Sequence, residues 1–234
     1  MPSDNSKLGA IYSGVVAAAW SLPDVMVWLP EAGVGFYPVR APAAAVYDDA
    51  YFKKYQDYAA TPMGEDLRQA RLDLLAKHIG AGGGAELKFV DFGVGCGDFV
   101  QALGCRGFDV MPAARKWLHQ RGQFVDVYAE GADVLTCWDS LEHVACPERL
   151  LPLVRDWLFV SLPIFTGAEH AAGSKHFRRD EHFWYWTDAG FRRFLEWQGF
   201  EVVEANTMES DLGREDIATY AARRTHGAMA GIHG

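Results

Sequence analysis

The sequence predicts an α/β fold with a mostly parallel β-sheet that ends in an antiparallel hairpin. From residue 87 onward, apolar stretches of strand length alternate with helical stretches, a pattern typical of a parallel sheet covered on both faces. The end of the chain differs, because two strand-like segments are joined by the short turn DLGRE at 211–215 and should pair antiparallel. At 234 residues the chain suits one such domain.

Composition and charge exclude several classes of protein. Half of the residues are hydrophobic (50%), so the chain has enough apolar material for a core and is not disordered. The formal net charge of −9 repels nucleic acid on average, and the basic clusters are no longer than adjacent arginine pairs. Duplex DNA is therefore not an expected partner.

The cysteines and the hydropathy pattern favour a cytoplasmic protein. The four cysteines, at 96, 105, 137 and 146, form no C-x-x-C pair, and three of them lie in or beside apolar runs where a free thiol packs as a small hydrophobe. This usage is typical of a reducing compartment. No apolar run approaches the roughly 20 residues that a membrane-spanning helix needs.

Three parts of the chain can be distinguished: an N-terminal extension (1–46), a main domain (47–226) and a flexible tail (227–234). The extension contains DVMVWLP and VGFYPV on either side of the turn EAG, which predicts a hairpin. From Tyr47 to His78, apolar residues recur at three- and four-residue spacing and predict amphipathic helix that ends at the glycine-rich segment 80–86.

The main domain then predicts strands and helices in alternation. The expected parallel strands are LKFVDFG (87–93), RGFDV (106–110), QFVDVYA (123–129), ADVLTCWD (132–139) and LFVSLPIF (158–165). Helices are expected from Asp98 and over 111–122, 147–157 and 187–200. The final two strands are FEVVEANTMES (200–210) and DIATYAARR (216–224).

The loop after the first of these strands carries alternate glycines, Gly93, Gly95 and Gly97, where a parallel sheet usually binds a nucleotide. Asp98 stands where the dinucleotide pattern G-x-G-x-x-G requires its last glycine, so that pattern fails. A carboxylate at a helix N-terminus also disfavours a phosphate. S-adenosylmethionine has a sulfonium, an ammonium and no phosphate, and Asp91 could face its ammonium side.

Twelve residues after Gly97, Asp109 ends the next strand, where one carboxylate can accept hydrogen bonds from both hydroxyls of a ribose. The alternative is that the glycines and Asp109 only form tight turns. The presence of both acids at strand ends, Asp91 and Asp109, favours a nucleoside ligand.

Four segments together resemble the class I S-adenosylmethionine-dependent methyltransferases: VDFGVGCG, GFDVMP, ADVLTCWDSLEHV with the LEH signature of small-molecule branches, and HFWYWTDAGFRRFLEWQGFEVVEA. The resemblance covers about Tyr47 to Arg224. It implies a Rossmann-like, seven-stranded, mostly parallel sheet with a reversed last strand, and S-adenosylmethionine as cofactor. The expected cofactor contacts are Asp91, Gly93, Gly95, Gly97, Asp109, Val110, Trp138 and Asp139.

One departure from the family pattern is the short step from Gly97 to Asp109, which predicts a first helix of only about two turns. A shortened helix would open the cofactor pocket to solvent. It is also compatible with a catalytically degenerate protein that uses the pocket only for binding or assembly.

The segment Asp139 to His143 resembles the E-x-x-E-H motif of the ubiquinone-pathway O-methyltransferases and of small-RNA 2'-O-methyltransferases. By that resemblance Asp139, Glu142, His143 and the more distant His182 would hold a divalent cation (Mg, Mn or Zn) beside the hydroxyl to be methylated. The alternative is that LEH only begins a helix, as in metal-free relatives.

The segment SKHFRRDEHFWYWT (174–187) lies where this fold places its substrate loop. It contains His176, Glu181 and His182 among five aromatic residues that could form a wall of the acceptor site. His143 and His182 are the candidate catalytic groups, with His182 as general base or metal ligand. The alternative for HFWYWT is an apolar entry to the next helix, with Thr187 as its N-cap.

The sequence thus predicts a methyltransferase that acts on a hydroxyl or another nucleophile of a small or medium-sized acceptor. A [DNS]-P-P-[YFW] motif and a Pro-Cys nucleophile are both absent, so methylation of exocyclic amines or of cytosine C5 in DNA is not expected. No motif in the sequence identifies the acceptor.

Overall fold

The computed structural model of the protein describes residues 4–22, 24–40, 47–80 and 87–225. The helices are α1 (Asp4–Ser21), α2 (Asp49–Ala59), α3 (Pro62–Ile79), α4 (Asp98–Leu103), α5 (Pro112–Gln120), α6 (Val127–Glu130), α7 (Ala168–Gly173), α8 (Asp188–Trp197) and α9 (Met208–Asp211). The strands are β1 (Val27–Leu29), β2 (Val34–Phe36), β3 (Phe89–Phe92), β4 (Arg106–Phe108), β5 (Ala132–Trp138), β6 (Val154–Pro163), β7 (Trp184–Trp186), β8 (Phe200–Asn206) and β9 (Ile217–Arg224).

The main sheet has the strand order β4-β3-β5-β6-β9-β8. The first four strands in that order are parallel, whereas β9 runs antiparallel to both β6 and β8. The central strand β6 is buried at every residue from Trp157 to Pro163, because helices cover both faces of the sheet there. The predicted fold class, a mostly parallel Rossmann-like sheet with an antiparallel C-terminal hairpin, is confirmed.

Within the described residues the main sheet has six strands, one fewer than the seven that the resemblance implies. Segment 123–129 was expected as a strand, but it pairs with β4 only at the bridge between Gly107 and Phe124. The side chain of Asp126 then accepts a hydrogen bond from the backbone N–H of Tyr128 and caps α6. A helix begins before the seventh strand can extend.

Two helical predictions need correction. The helix expected over 147–157 is wrong: that segment forms 3-10 turns at Pro147–Arg149 and Leu151–Leu153, and β6 already begins at Val154. Pro152 has no backbone N–H and cannot continue an α-helix. The continuous helix expected over 47–78 is two helices, because Thr61 caps α3 by accepting from the N–H of Gly64.

The N-terminal residues pack on the main domain through an aromatic contact. The ring of Tyr12 in α1 lies 5.3 Å from Trp184, 5.2 Å from Phe194 and 5.2 Å from Trp197, measured between ring centroids. Its hydroxyl accepts a hydrogen bond from Nε1 of Trp186 at 3.2 Å. The described part of segment 1–46 therefore shares a core with the sheet.

A second, three-stranded sheet has the order β1-β2-β7 and is antiparallel throughout. β1 and β2 form a hairpin, and β7 adds to it from the segment that precedes α8. The expected flexible tail, residues 227–234, lies outside the described residues. None of the helices in the described ranges has the length and apolarity needed to span a bilayer.

The buried aromatic contacts of Tyr12 should contribute to the stability of the fold. Tyr12→Ala should lower the free energy of unfolding by about 3–5 kcal/mol, because it empties a buried aromatic site. Tyr12→Phe should cost less, about 1–3 kcal/mol, since it keeps the ring but leaves the buried N–H of Trp186 without its acceptor. Urea denaturation measures both values, and equal stability of Tyr12→Ala and the wild type would show that α1 is not part of the cooperative core.

Candidate active site

A cleft of about 920 Å³ opens at the carboxyl ends of β3, β4 and β5, and side chains of α2 and α3 form its other wall. Ligands of open parallel sheets bind at this edge. Seven of the eight residues predicted to contact a cofactor line the cleft: Asp91, Gly93, Gly95, Asp109, Val110, Trp138 and Asp139.

The glycines of the loop after β3 have different roles. Gly93 has a φ of +76°, and a Cβ there would lie 2.5 Å from the Cβ of Ser140, so only glycine fits. Gly95, with a φ of +55°, faces open space and leaves its backbone accessible from the cleft. Gly97 does not line the cleft, since a Cβ at this position would meet the ring of Trp117 at 2.5 Å.

Two buried carboxylates flank this loop. Asp91 accepts a hydrogen bond from the hydroxyl of Thr136 at 2.6 Å, and burial raises its pKa to about 7. Asp109 accepts from the backbone N–H of Gly95 at 3.1 Å and of Met111 at 2.7 Å, and burial raises its pKa to about 6. Both groups therefore gain from a ligand that donates hydrogen bonds or carries positive charge.

The helix that follows the loop, α4, has six residues, in agreement with the predicted shortening to about two turns. Its first residue, Asp98, accepts two hydrogen bonds from Arg68 of α3, at 2.8 and 2.9 Å. The charge of Asp98 is thus balanced by Arg68, and Asp98 alone is a weaker barrier to an anionic ligand than the sequence suggested. The expectation of a nucleoside without phosphate therefore depends more on Asp91 and Asp109.

Asp139 belongs to an ion-pair network at the end of β5. Its carboxylate pairs with Arg214 at 2.6 Å and with Arg71 at 3.4 Å, and both arginines also pair with the fully buried Glu209. Burial alone would raise the pKa of Asp139, but Arg214 and Arg71 hold it below its usual value. The guanidinium of Arg71 also lies over the ring of Trp138, with 4.8 Å to the centroid.

Three of the four predicted metal ligands come together. Ligand atoms of Glu142, His143 and His182 lie within 4.8 Å of one another, whereas Asp139 is not part of this group because it pairs with the arginines. Neither carboxylate oxygen of Glu142 hydrogen-bonds to a described residue, and burial beside Asp139 raises its pKa well above the usual value. Burial lowers the pKa of His182 well below its usual value.

His143 is the member of this group that faces the cleft. It lines the cleft, whereas Glu142 and His182 lie behind it and are 1% and 3% exposed. Its Nδ1 lies 2.8 Å from the hydroxyl of Tyr47, and its Nε2 lies 3.9 Å from Oε1 of Glu142. Burial lowers the pKa of His143 to about 4, so its ring is neutral at neutral pH.

The aromatic wall expected from 174–187 is largely absent from the cleft. Trp184, Tyr185 and Trp186 are buried in the core, because they form β7 and pair with β2. From this segment His176, Glu181 and Phe183 do line the cleft. Thr187 caps α8 by accepting from the N–H of Gly190 at 2.9 Å, which confirms the capping prediction.

Three tyrosines of α2, together with Tyr47 two residues before the helix, supply the wall instead: Tyr47, Tyr51, Tyr55 and Tyr58 all line the cleft. Their spacing of four, four and three residues places them on one helix face and was visible in the sequence. Arg71 and Arg214 also line the cleft. Their pairing with Asp139 joins segments 68 and 75 residues apart in the chain, which no local pattern signals.

Comparison with protein families agrees with this geometry: the model of a methyltransferase domain family matches residues 56–205. The chain belongs to the class I S-adenosylmethionine-dependent methyltransferases. The matched span contains the glycine loop, Asp109 and the Asp139–His143 segment. A search of proteins with curated functions found no significant match.

Solved structures share the fold of this methyltransferase at low sequence identity. Magnesium protoporphyrin IX methyltransferase from Synechocystis PCC 6803 with bound S-adenosylhomocysteine is 15% identical, with a TM-score of 0.57, over 78% of this chain and 98% of that chain. An S-adenosylmethionine-dependent methyltransferase from Thermotoga maritima is 16% identical, with a TM-score of 0.53, over 75% and 97% of the two chains.

The ion-pair network around Glu209 should also stabilise the fold of the methyltransferase. Glu209→Ala leaves Arg71 and Arg214 without their shared buried partner and should lower the free energy of unfolding by about 3–5 kcal/mol. The matched control is Glu215→Ala, which removes an exposed partner of Lys175 and should leave stability essentially unchanged. Urea denaturation of both variants checks this, and equal stabilities would mean that the network contributes nothing.

Proposed function

We propose that this methyltransferase binds S-adenosylmethionine in the cleft and transfers its methyl group to a hydroxyl on a small or medium-sized acceptor. The observation that carries the proposal is the placement of Asp109 beside Gly95 in the same cleft as the neutral His143. The same cleft therefore offers a carboxylate that suits a ribose and a neutral side chain that can accept a proton.

The residues around the glycine loop suit this cofactor. The carboxylate of Asp109 has lone pairs left for both ribose hydroxyls after its two backbone hydrogen bonds. Asp91 would face the ammonium group, and Val110, which is 58% exposed, offers apolar surface to the adenine. Gly93 and Gly95 let the backbone approach the ligand closely.

When bound, the cofactor supplies an electrophilic methyl group on a sulfonium. The chain must then orient the acceptor hydroxyl and remove its proton. The ring of His143 is neutral and can take a proton, although its pKa of about 4 makes it a weak base. Its Nε2 faces the buried Glu142, so the proton would reach Nδ1 through the hydroxyl of Tyr47, 2.8 Å away. His182 and Glu142 pack behind His143 and would orient its ring.

A divalent cation (Mg, Mn or Zn) on Glu142, His143 and His182 is the alternative way to activate the hydroxyl. The donor set of one carboxylate and two imidazoles suits such an ion, and the unpaired carboxylate of Glu142 would gain from it. However, Glu142 and His182 do not line the cleft, so an ion between them would contact the acceptor only past His143. We therefore favour His143 as a base.

The alternative is a catalytically degenerate protein that uses this pocket only for binding or assembly. The short α4 is the feature that favours it. The cleft nevertheless keeps both strand-end carboxylates and a neutral histidine, which binding of a partner would not require.

Cofactor binding can be tested with S-adenosylhomocysteine by calorimetry. Asp109→Asn should weaken binding by about ten- to a hundredfold, since a hydrogen bond to a charged group contributes about 1.5–3 kcal/mol. The control Asp156→Asn, at the other end of the sheet, should bind as the wild type does. An unchanged affinity in Asp109→Asn would contradict the ribose assignment.

The same titration has a predicted pH dependence. The pKa of Asp109 is about 6 and that of Asp91 about 7 before the ligand binds, and the ligand requires both groups ionised. Affinity for S-adenosylhomocysteine should therefore be highest above pH 7 and fall as the pH drops through 6, because the protons must first be released. Calorimetry over this pH range in Asp109→Asn should show a shallower fall than in the wild type.

The role of His143 can be tested by transfer of a labelled methyl group from S-adenosylmethionine into small-molecule fractions of a cell extract. His143→Ala should reduce transfer by about 10²–10⁴-fold without weakening cofactor binding, because a general base contributes a factor of this size. Chelators should have no effect on the wild type. Loss of activity on chelation would favour the cation, and full activity of His143→Ala would exclude the base.

A further inference from the structure

The cleft-facing side of α2 is the feature of the molecule that the proposed cofactor and base do not use. Tyr51, Tyr55 and Tyr58 lie on this face, with Tyr47 just before the helix, and each is half-buried. No residue of α2 is fully buried. Tyr47 and Tyr51 pack against the core cluster around α5, so Tyr55 and Tyr58 are the more open part of this face. The half-buried rings that line the cleft offer aromatic surface that a ligand could cover.

The hydroxyl groups of three of these tyrosines already have partners. The hydroxyl of Tyr47 contacts Nδ1 of His143, and the hydroxyl of Tyr51 lies 3.3 Å from that of Tyr55 and 3.4 Å from Oε2 of Glu181. Neighbouring rings are 5.2 Å and 4.8 Å apart between centroids. Ring faces and edges, rather than hydroxyl groups, are therefore what the wall offers to a ligand.

The wall begins at the proposed base. Tyr47 contacts His143, and Tyr51, Tyr55 and Tyr58 follow along α2. Phe183 and Met63 line the same cleft and add apolar surface. A molecule with its hydroxyl at His143 would therefore lie with its body along the tyrosines.

We propose that the methyl acceptor is a flat aromatic compound with a hydroxyl on its ring, held against Tyr51, Tyr55 and Tyr58. This proposal rests on the proposed function and specifies its substrate class. Aromatic rings attract one another in offset or edge-on arrangements beyond the area that they bury, whereas a saturated ring of the same size gains only the buried area. The tyrosines should therefore bind a flat aromatic acceptor more tightly than a saturated acceptor of the same size.

The test compares naphthol with decahydronaphthol, which have the same carbon skeleton and hydroxyl. Binding of each to the protein saturated with S-adenosylhomocysteine is measured by calorimetry. We expect naphthol to bind at least about tenfold more tightly, the ratio that one or two aromatic contacts would produce. Equal affinities, or no binding of naphthol, would overturn the proposal.

Substitutions in α2 test whether its tyrosines cause the preference for naphthol. The double substitution Tyr55→Leu and Tyr58→Leu keeps apolar bulk but removes the rings, and should bring the naphthol preference down to about twofold or less. Gln56→Leu, on the exposed side of the same helix, should keep the preference of the wild type. A double variant that still prefers naphthol would also overturn the proposal.

The two proposals can fail separately. Retained affinity for S-adenosylhomocysteine in the double variant shows that the fold and the cofactor site are intact. If the wild type fails to bind S-adenosylhomocysteine, the proposed function is wrong. If it binds S-adenosylhomocysteine but does not distinguish the two alcohols, only the aromatic acceptor is excluded.

Discussion

The close approach of Gly93 to Ser140 is the constraint on which the site depends. The backbone N–H of Gly93 donates to the carbonyl of Phe108 at 2.8 Å, and the hydroxyl of Ser140 donates to the carbonyl of Phe92 at 2.7 Å. These bonds tie together the ends of β3, β4 and β5. Any side chain at position 93 would push them apart, and Asp109 would no longer sit beside the loop.

The cleft beside this junction has two walls that carry different groups. The sheet edge provides carboxylates whose pKa values burial has raised, so they are poised for a ligand that brings hydrogen bonds or positive charge. The helices that precede the sheet provide Arg68, Arg71 and the tyrosines, which close the cleft from the other side. The short α4 is compensated in part by Arg68, which holds its first residue, Asp98.

Much of the sheet and of the glycine loop after β3 could be predicted from the sequence, because both depend on local patterns. Apolar runs identified β3, β5 and most of β6, and alternate glycines followed by a strand-end acid identified the loop. The rest depends on tertiary context. Trp184 and Trp186 looked like a substrate wall, but pairing of β7 with β2 buries them, and the ion pairs of Asp139 join segments far apart in the chain.

A crystal structure of the protein with S-adenosylhomocysteine would test the binding of this ligand in the cleft most directly. We expect both ribose hydroxyls to lie within hydrogen-bonding distance of the Asp109 carboxylate, with the adenine on Val110 and the amino group toward Asp91. A ligand bound elsewhere, or one in this cleft with its ribose turned away from Asp109, would contradict it.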